Sequence, residues 1–342
     1  MNTGQSLHSS EPRRNRLTIA IPSFNRTALL LVNLKAISDQ LPSWVHLLVV
    51  DNGSEPPVKF DTNLQATLDA RGVTTTIVRN RTNIGGGANI LRCFEHIDTD
   101  WFLLCGDDDL IDPQRLAELR DTIVSNTDAA FIKFSSRFQH YTTTIKATGV
   151  CALMEAPGDF NSLLFMSTYL FNRRLCMPYI RFGYLMTAAY APHVAVALLA
   201  ARDHPFVLSP VLGTRANDED ASWSPVDVVL SSYYLTDSPL ASEERAAVTR
   251  KIYAAHNVGR ELLDIVTIYT TPGTKVEARF LRRKALRTHL FFGRGAKRLL
   301  ALAALLISPL LGTAGQKLLA RWYRHASGRE YTRKFVARHA GL

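Results

Sequence analysis

The stretch LLCGDDDLIDP, from Leu103 to Pro113, is the most informative part of this sequence. An apolar run from Trp101 to Cys105 predicts a buried strand, and the aspartates Asp107 to Asp109 follow almost at once. Like charges this close raise each other's pKa unless a cation lies among them. A hard divalent metal that shares its oxygen ligands with a substrate's phosphates meets this need. The alternative is a solvated turn in which Asp112 caps a helix, but a cap needs only one carboxylate.

Around this segment, short apolar runs alternate with amphipathic ones over the first 135 residues. Near-continuous apolar strands separated by helices indicate a parallel α/β sheet that is covered on both faces. The predicted strands are Leu17–Pro22, His46–Asp51, Thr74–Arg79, Asp100–Cys105 and Ala129–Phe134. The predicted helices between them are Thr27–Gln40, Ala88–Ile97 and Pro113–Ser125.

Polar or glycine-rich loops follow four of the predicted strands. They are Ser23–Arg26, Asp51–Ser54, Asn83–Gly87 and the aspartate segment itself. Ligands of such sheets bind at the carboxyl ends of the strands, so these loops are expected to converge. Strand-to-helix loops are commonly rich in Gly, Asn and Asp, which explains the residue types but not the cluster of acids.

Composition and charge divide the chain unevenly. The net charge of the 342 residues is +10, yet the segment from Lys275 to the end holds sixteen basic and two acidic residues. The rest is therefore slightly acidic, and a basic tail indicates phosphates of lipid or nucleic acid as partners. The four cysteines form no CxxC pair, which favours reduced core residues. Residues 1–16 are polar and lack an apolar stretch, which predicts a disordered start and no signal peptide.

Beyond about residue 140 the pattern is weaker. It predicts helices over Phe160–Arg174, Tyr179–Ala201, Val226–Tyr234 and Glu243–Thr270. We therefore expect one α/β domain over 17–235, with a nucleotide-binding half (17–135) and an acceptor half (136–235). A helical region over 236–342 would follow, with its basic tail from about residue 275.

The tail has the composition of a segment that lies on a membrane. Leu299–Ala314 is apolar but interrupted, and it falls short of the ~20 residues that span a bilayer. In the next segment a helical projection places apolar residues such as Trp322 opposite Lys317, Arg321 and Arg324, which favours an anionic membrane surface. The alternative is a helical pair that packs on the body or on a partner chain.

Four motifs together carry a family resemblance: IPSFNR (21–26), VVDNGS (49–54), RNRTNIGGGANILR (79–92) and LLCGDDDLIDP. In order and spacing they resemble the nucleotide-sugar domain of family 2 glycosyltransferases, which has the GT-A fold. The resemblance covers roughly Leu17 to Phe134. It implies a Rossmann-like, mostly parallel sheet, followed here by a helical C-terminal region.

The resemblance implies that the first two loops bind the nucleoside. Pro22, Ser23 and Phe24 would line the base pocket, and Arg26 belongs to the same binding loop. Asp51 would accept a hydrogen bond from the base or the ribose, which suits an ionised carboxylate because it is only an acceptor.

The other two loops would bind the diphosphate. The backbone at Asn83, Gly85 and Gly86 would approach the nucleotide closely. Arg92, one turn into the next helix, would reach a phosphate or pair with an aspartate.

The resemblance assigns Asp107 and Asp108 to nucleotide binding. It also makes Asp107 and Asp109 the outer members of a DXD motif that holds Mg²⁺ or Mn²⁺, with Asp109 favoured as the direct ligand. The metal would neutralise the diphosphate leaving group.

The family also implies a downstream carboxylate that acts as general base and leads to inversion of the anomeric carbon. The acidic loop after Asn217 offers Asp220, and the alternatives are Asp218 and His193. The sequence around this loop does not follow the usual family context.

Other classes fit less well. GxGxxG does not follow the first strand, and GxxxxGK[ST] is absent. Basic residues interleaved with Leu and Ala suit lipid better than nucleic acid, so no nucleic acid is expected as a partner. We expect a cytoplasmic transferase, peripheral on the inner face of the membrane, that moves a sugar from a nucleotide-diphosphate sugar to a lipid-linked glycan of a bacterial surface polysaccharide (O-antigen or capsule). The alternative is a non-catalytic, membrane-associated nucleotide-sugar-binding or adaptor protein.

Overall fold

The computed structural model describes residues 16–136, 139–215 and 231–255, together with isolated positions between 295 and 310. Within them the chain forms two compact units. The first contains the described residues up to Ala147, Met166–Ile180 and those from Asp203 to 215. The second contains Thr148–Phe165, Arg181–Arg202 and the described residues from Ser231 onward.

An eight-stranded sheet organises the first unit, in the order β3-β2-β1-β4-β8-β6-β9-β7. A two-stranded sheet pairs β5 with β10. The strands are β1 Leu17–Ser23, β2 Val45–Asp51, β3 Thr74–Arg79, β4 Trp101–Leu104, β5 Leu110–Ile111, β6 Phe131–Ser135, β7 Ile145–Thr148, β8 Tyr169–Asn172, β9 Pro205–Leu212 and β10 Thr214–Arg215.

The sheet is mixed rather than wholly parallel. Strands β3, β2, β1 and β4 run parallel to one another, as the alternation of apolar strands and helices predicts. Strand β8 runs antiparallel to both β4 and β6, and β6 and β9 are again parallel. The register places Leu103 of β4 opposite Leu170 of β8, so the start of β8 lies beside the end of β4.

Alternate residues of the central strands fill two apolar layers. Ile19, Leu47 and Leu103 belong to one buried cluster. On the other face Phe94, from the helix after β3, meets the ring of Phe102 at 4.7 Å in an edge-on contact. Burial on both faces explains why the strands are continuous apolar runs.

Helices connect the strands and build the second unit. They are α1 Thr27–Ile37, α2 Thr62–Ala70, α3 Gly86–His96, α4 Leu116–Val124, α5 Val150–Glu155, α6 Phe160–Leu164, α7 Arg173–Cys176, α8 Ile180–Leu185, α9 Pro192–Asp203 and α10 Ser242–Ala255. In the second unit α10 packs against α5 and α6, and Lys251 Nζ donates to the carbonyl of Ala156 at 2.8 Å. Short 3₁₀ turns join several of the elements, and the turn Met166–Thr168 directly precedes β8.

All five predicted strands of the first 135 residues are present within one or two residues of their predicted ends. The helix predicted over Phe160–Arg174 is wrong, because this segment holds α6, a 3₁₀ turn and strand β8. A short apolar aromatic run such as Tyr169–Asn172 has no period that separates a buried strand from a helix. The helix predicted over Tyr179–Ala201 is interrupted between Leu185 and Pro192, since proline suits the first turn of a new helix.

Three parts of the sequence-based prediction fall wholly or partly on residues outside the description. Most of Val226–Tyr234 lies there, and so does the portion of Glu243–Thr270 beyond Ala255. The basic tail lies there almost entirely. Among the described residues no helix is both long and apolar enough to span a bilayer.

Candidate functional site

The loops that follow β1, β2 and β4 meet at the carboxyl edge of the sheet. The strand register pairs Ser23 with Asp51, and Asn52 N donates to the carbonyl of Ser23 at 2.9 Å. Cys105 N donates to the carbonyl of Ala20 at 3.0 Å, which brings the aspartate segment beside the end of β1. Three of the predicted binding loops therefore share one edge, as the topology of parallel strands requires.

Asp107 is the most enclosed of the three aspartates. Its Oδ2 accepts a hydrogen bond from the Ser23 hydroxyl at 2.7 Å, and its Oδ1 lies 2.9 Å from Arg26 Nη1. Burial raises the pKa of Asp107 to about 6, against the lowering effects of the Arg26 guanidinium and the Ser23 hydroxyl. Both oxygens of Asp107 thus have protein partners. Which of the aspartates would bind a metal directly stays a prediction.

Arg26 joins the first two aspartates. Its Nη2 lies 3.0 Å from Asp108 Oδ2, while its Nη1 contacts Asp107. The guanidinium fork suits this arrangement because it presents several donors in a fixed plane. Asn33, from α1, also donates to the backbone carbonyl of Asp107 at 3.0 Å. Arg26, which was predicted as a site residue, therefore contacts two of the aspartates directly.

Asp109 has a different environment. Its Oδ2 accepts a short hydrogen bond from the hydroxyl of Ser167, which lies in the 3₁₀ turn before β8. The carboxylates of Asp108 and Asp109 fold back over Gly106, where a Cβ would lie 2.7 Å and 2.8 Å from their oxygens. Only glycine leaves room for this arrangement, so Gly106 belongs to the site although it has no side chain.

Asp51 serves the backbone of its own loop. Its Oδ1 accepts from Ser54 N at 2.8 Å and its Oδ2 from Val58 N at 3.2 Å. The residue is 0% exposed, and Arg79 Nε lies 4.0 Å from Oδ2. The predicted contact of Asp51 with a base or ribose stays a prediction, and the observed role of the carboxylate is to shape the loop.

Asparagine side chains hold the glycine-rich loop against the end of β2. Asn52 Nδ2 donates to Asn83 Oδ1 at 2.8 Å, and Asn80 Nδ2 donates to Asn52 Oδ1 at 3.0 Å and to Asn89 Oδ1 at 2.8 Å. Asn83 Oδ1 also accepts from Gly85 N at 2.8 Å. The predicted site residue Asn83 thus uses its carbonyl oxygen to fold the loop.

The beginning of α3 is open. Gly85 has a φ of +90°, a conformation that favours glycine, and a Cβ at either Gly85 or Gly86 would meet nothing within 4 Å. A ligand could approach this backbone closely, in agreement with the predicted role. Arg92, further along α3, pairs with Glu95 on the same helix.

The loop after β1 presents an aromatic ring. Phe24 is 38% exposed and follows Pro22 and Ser23, of which Ser23 is buried. Asn25 has a φ of 53°, its N donates to Ser54 Oγ at 2.9 Å, and its Oδ1 accepts from Glu55 N at 2.9 Å. These bonds fix Phe24 in an exposed position, which suits a stacking contact with a base.

The predicted general base is Asp220, with Asp218 and His193 as the alternatives. His193 lies in α9 of the second unit and is 1% exposed, which leaves its ring little access to an acceptor. Asp218 and Asp220 lie outside the described residues. The assignment of the base stays a prediction, with the burial of His193 favouring the acidic loop.

The chemistry of the aspartate segment fits a hard divalent cation, since carboxylate oxygens are the ligands that Mg²⁺ and Mn²⁺ prefer. Within the described part of the chain, however, no group of three or more His, Cys, Asp or Glu side chains is placed to hold a metal alone. A metal here would need oxygens from a bound diphosphate. Mg²⁺ commonly binds in this shared way.

Ser167, Asn52, Asn80 and Asn89 support the site and were not predicted from the sequence. The three asparagines lie within the motifs 49–54 and 79–92, so the sequence could have indicated that their amides form hydrogen bonds with one another. Ser167 lies 58 residues after Asp109, in a segment predicted to be helical. No local pattern indicates its contact.

Comparisons with known proteins agree with this fold. Residues 18–185, about half of the chain, match the model for glycosyl transferase family 2. An uncharacterized glycosyltransferase of Haemophilus influenzae is 27% identical over 116 residues, which is 34% of this chain and 37% of that protein. This chain therefore aligns with about a third of that relative's length.

Solved structures of S. aureus TarS (residues 1–349) have a similar fold. The complex with UDP gives a TM-score of 0.56, and the complex with UDP-GlcNAc gives 0.53. Each comparison covers 91% of this chain and 92% of the solved chain at 12% identity. The described sheet and its helices thus form a GT-A fold. Residues 18–185 belong to glycosyl transferase family 2.

Proposed function

We propose that this protein transfers a sugar from a nucleotide-diphosphate sugar to a lipid-linked glycan during bacterial surface-polysaccharide assembly, with inversion at the anomeric carbon. The observation that carries the proposal is the Asp109 carboxylate, fixed by Ser167 at the carboxyl edge of a family 2 fold. The related TarS structures contain UDP and UDP-GlcNAc, which supports a nucleotide sugar as donor.

Each loop then has a task. Phe24 stacks on the base, and the open backbone at Gly85 and Gly86 admits the diphosphate. Arg26 holds Asp107 and Asp108 in place, so that the aspartates keep one arrangement before the donor arrives. Preorganised charge of this kind costs no rearrangement during the reaction.

Asp109 is the residue that would hold Mg²⁺ or Mn²⁺ together with the donor's diphosphate. When bound, the metal supplies positive charge against which the diphosphate can leave. Asp220, in the acidic loop, would remove the proton from the acceptor hydroxyl as that oxygen attacks. The general base contributes only in this step, so its loss should affect turnover more than donor binding.

The basic tail supports a lipid-linked acceptor. Its sixteen basic residues against two acids suit an anionic membrane surface, where the lipid anchor of such a glycan lies. We therefore expect the enzyme to lie at the inner face of the cytoplasmic membrane. The alternative function is a membrane-associated protein that binds a nucleotide sugar without turning it over.

A transfer assay with the full chain tests the proposal. UDP-, GDP- and dTDP-sugars are screened with Mg²⁺ or Mn²⁺ and a polyprenyl-linked glycan. We expect Asp109→Asn to lower transfer by roughly 10² to 10³, and Asp220→Asn to lower kcat by roughly 10² to 10⁴ with little change in the donor KM.

Asp121→Asn, which changes an exposed carboxylate on α4, is the matched control and should retain normal activity. Full activity of Asp109→Asn, or full activity in excess chelator, would contradict the metal-dependent mechanism. Donor binding with neither transfer nor hydrolysis would favour the non-catalytic alternative.

A further inference from the structure

Ser167 has an environment that fixes the direction of its hydroxyl. The residue is 0% exposed, and its Oγ accepts a hydrogen bond from Gly106 N at 2.8 Å. The backbone N–H can only donate, so the single hydroxyl proton of Ser167 is directed to Asp109 Oδ2. The serine therefore connects the two ends of the Gly106–Asp109 turn.

Ser167 is itself held from two sides. Its carbonyl accepts from the Thr214 hydroxyl at 2.6 Å, and Thr214 belongs to β10, which pairs with β5 directly after the aspartates. The next residue, Thr168, accepts a hydrogen bond from the buried Lys133 Nζ at 2.5 Å. The 3₁₀ turn thus has anchors in β6 and β10, and its serine cannot move independently of them.

We propose that Ser167 is a positioning residue that fixes the orientation of the Asp109 carboxylate for metal binding, an inference that rests on the proposed function. The hydrogen bond from the Ser167 hydroxyl fixes the direction of one carboxylate oxygen of Asp109. Because the carboxylate group is rigid, the direction of its other oxygen is fixed as well. Groups that orient a metal ligand typically contribute a factor of about 10 to 100 in metal affinity.

The chain offers a closely matched control in Ser135. It is also 0% exposed, its Oγ also accepts from a backbone N–H (Tyr141 N, 2.9 Å), and it also donates to an oxygen (the Ser209 carbonyl, 3.2 Å). Ser135→Ala therefore removes a similar pattern of hydrogen bonds from a buried serine in β6. It removes no hydrogen bond or ion pair that joins the aspartates to Ser23, Arg26 or Ser167.

The test measures Mn²⁺ binding by electron paramagnetic resonance, with the full chain and with UDP or GDP present. We expect Ser167→Ala to raise the Kd for Mn²⁺ about 10- to 100-fold, Ser167→Thr to recover most of the affinity, and Ser135→Ala to leave it unchanged. In an Asp109→Asn background, Ser167→Ala should have little further effect, because both changes remove one interaction.

The outcomes separate this inference from the proposed function. If the wild-type chain binds Mn²⁺ and Ser167→Ala binds it equally well, the positioning role is wrong while the function stands. Additive effects of Ser167→Ala and Asp109→Asn would give the serine a purely structural role and would also overturn the inference. If the wild-type chain binds no Mn²⁺ with either nucleotide, the metal-dependent function fails and the inference fails with it. Should Ser167→Ala not fold, Ser167→Thr and Ser167→Cys carry the comparison.

Discussion

Three identical residues in a row have three different environments. Asp107 is enclosed by Ser23 and Arg26, Asp108 pairs with the other side of the guanidinium, and Asp109 contacts Ser167. The sequence predicts that the segment binds a cation, because clustered carboxylates need one. It cannot distinguish the members, since the distinguishing partners come from β1, from the loop that follows it and from a turn 58 residues further on.

Lys133 is a buried lysine that contacts Thr168, the residue after Ser167. Its ammonium group lies 4.6 Å from the centroid of the Tyr169 ring and donates to Thr168. Burial lowers the pKa of Lys133 to about 7. Between this pKa and the ordinary lysine value of 10.5, the unfolded chain binds a proton that the folded chain does not.

The stability contributed at Lys133 should therefore rise with pH across this range. Relative to Lys133→Met, the free energy of unfolding of the wild type should increase by up to about 1.4 kcal/mol per pH unit, or roughly 2 kcal/mol between about pH 7.5 and about pH 9. Urea denaturation of both proteins at several pH values measures the difference. Other titrating groups cancel because both proteins contain them, and parallel curves would contradict the low lysine pKa.

At the scale of elements, the glycine-rich loop depends on amides rather than on its glycines alone. Asn89 of α3 is 2% exposed, and its Nδ2 donates to the carbonyl of Val50 at 2.9 Å. Gly53 adds a steric constraint, since a Cβ there would lie 2.9 Å from the backbone carbon of Thr82. These contacts thus join strand β2 to helix α3 and to the loop between β3 and α3.

Asn89→Ala should weaken both the fold and donor binding. It removes the donor to Val50 and one acceptor of Asn80, and such unsatisfied buried groups cost about 1 to 3 kcal/mol. Denaturant unfolding measures the stability, and titration with the donor's nucleoside diphosphate measures the affinity.

Asn126→Ala is the control for this change, because Asn126 Nδ2 makes a similar 2.9 Å bond to the Thr122 carbonyl at the end of α4. It should lose some stability and no nucleotide affinity. Equal affinities of the two variants would show that the amide network has no part in binding.

The sequence predicts the elements whose burial is regular and misses those whose burial depends on distant partners. Strands β1, β2 and β4 are apolar runs bounded by loop residues, and β3 is rich in β-branched residues, so their positions follow from the sequence. Strand β8 is the aromatic run YLFN, which becomes a strand because it pairs with β4 and β6. Helix α2 and strand β9 were not predicted either, since their apolar residues form no long period.

At the scale of the whole molecule, the basic tail gives the remaining prediction. Replacing Lys317, Arg321 and Arg324 together by Gln should reduce binding to anionic vesicles by roughly 100-fold, since each basic residue near such a surface contributes about 1 kcal/mol. Co-sedimentation with phosphatidylcholine vesicles, with and without phosphatidylglycerol, measures the effect.

A second triple variant controls for net charge. Arg115, Lys146 and Arg250 are exposed in the described part of the chain, and their replacement by Gln removes the same three charges. This variant should bind vesicles like the wild type. If both triple variants bind alike, or if the wild type ignores anionic vesicles, the tail does not dock on membranes and the packing alternative is favoured.

The late position of β8 in the chain has a consequence for the order in which the site is completed during synthesis. All four motifs lie before Ser135, whereas Ser167 and β8 follow more than thirty residues later in the chain. A nascent chain that has emerged only as far as β6 therefore carries its aspartates without the hydroxyl that orients Asp109. Domains generally fold as units during synthesis. Here β8 is made after β4 and β6, and the carboxyl edge of the sheet is complete only when β8 pairs with both of them. The four motifs are translated early, whereas Ser167, which contacts Asp109, is translated late.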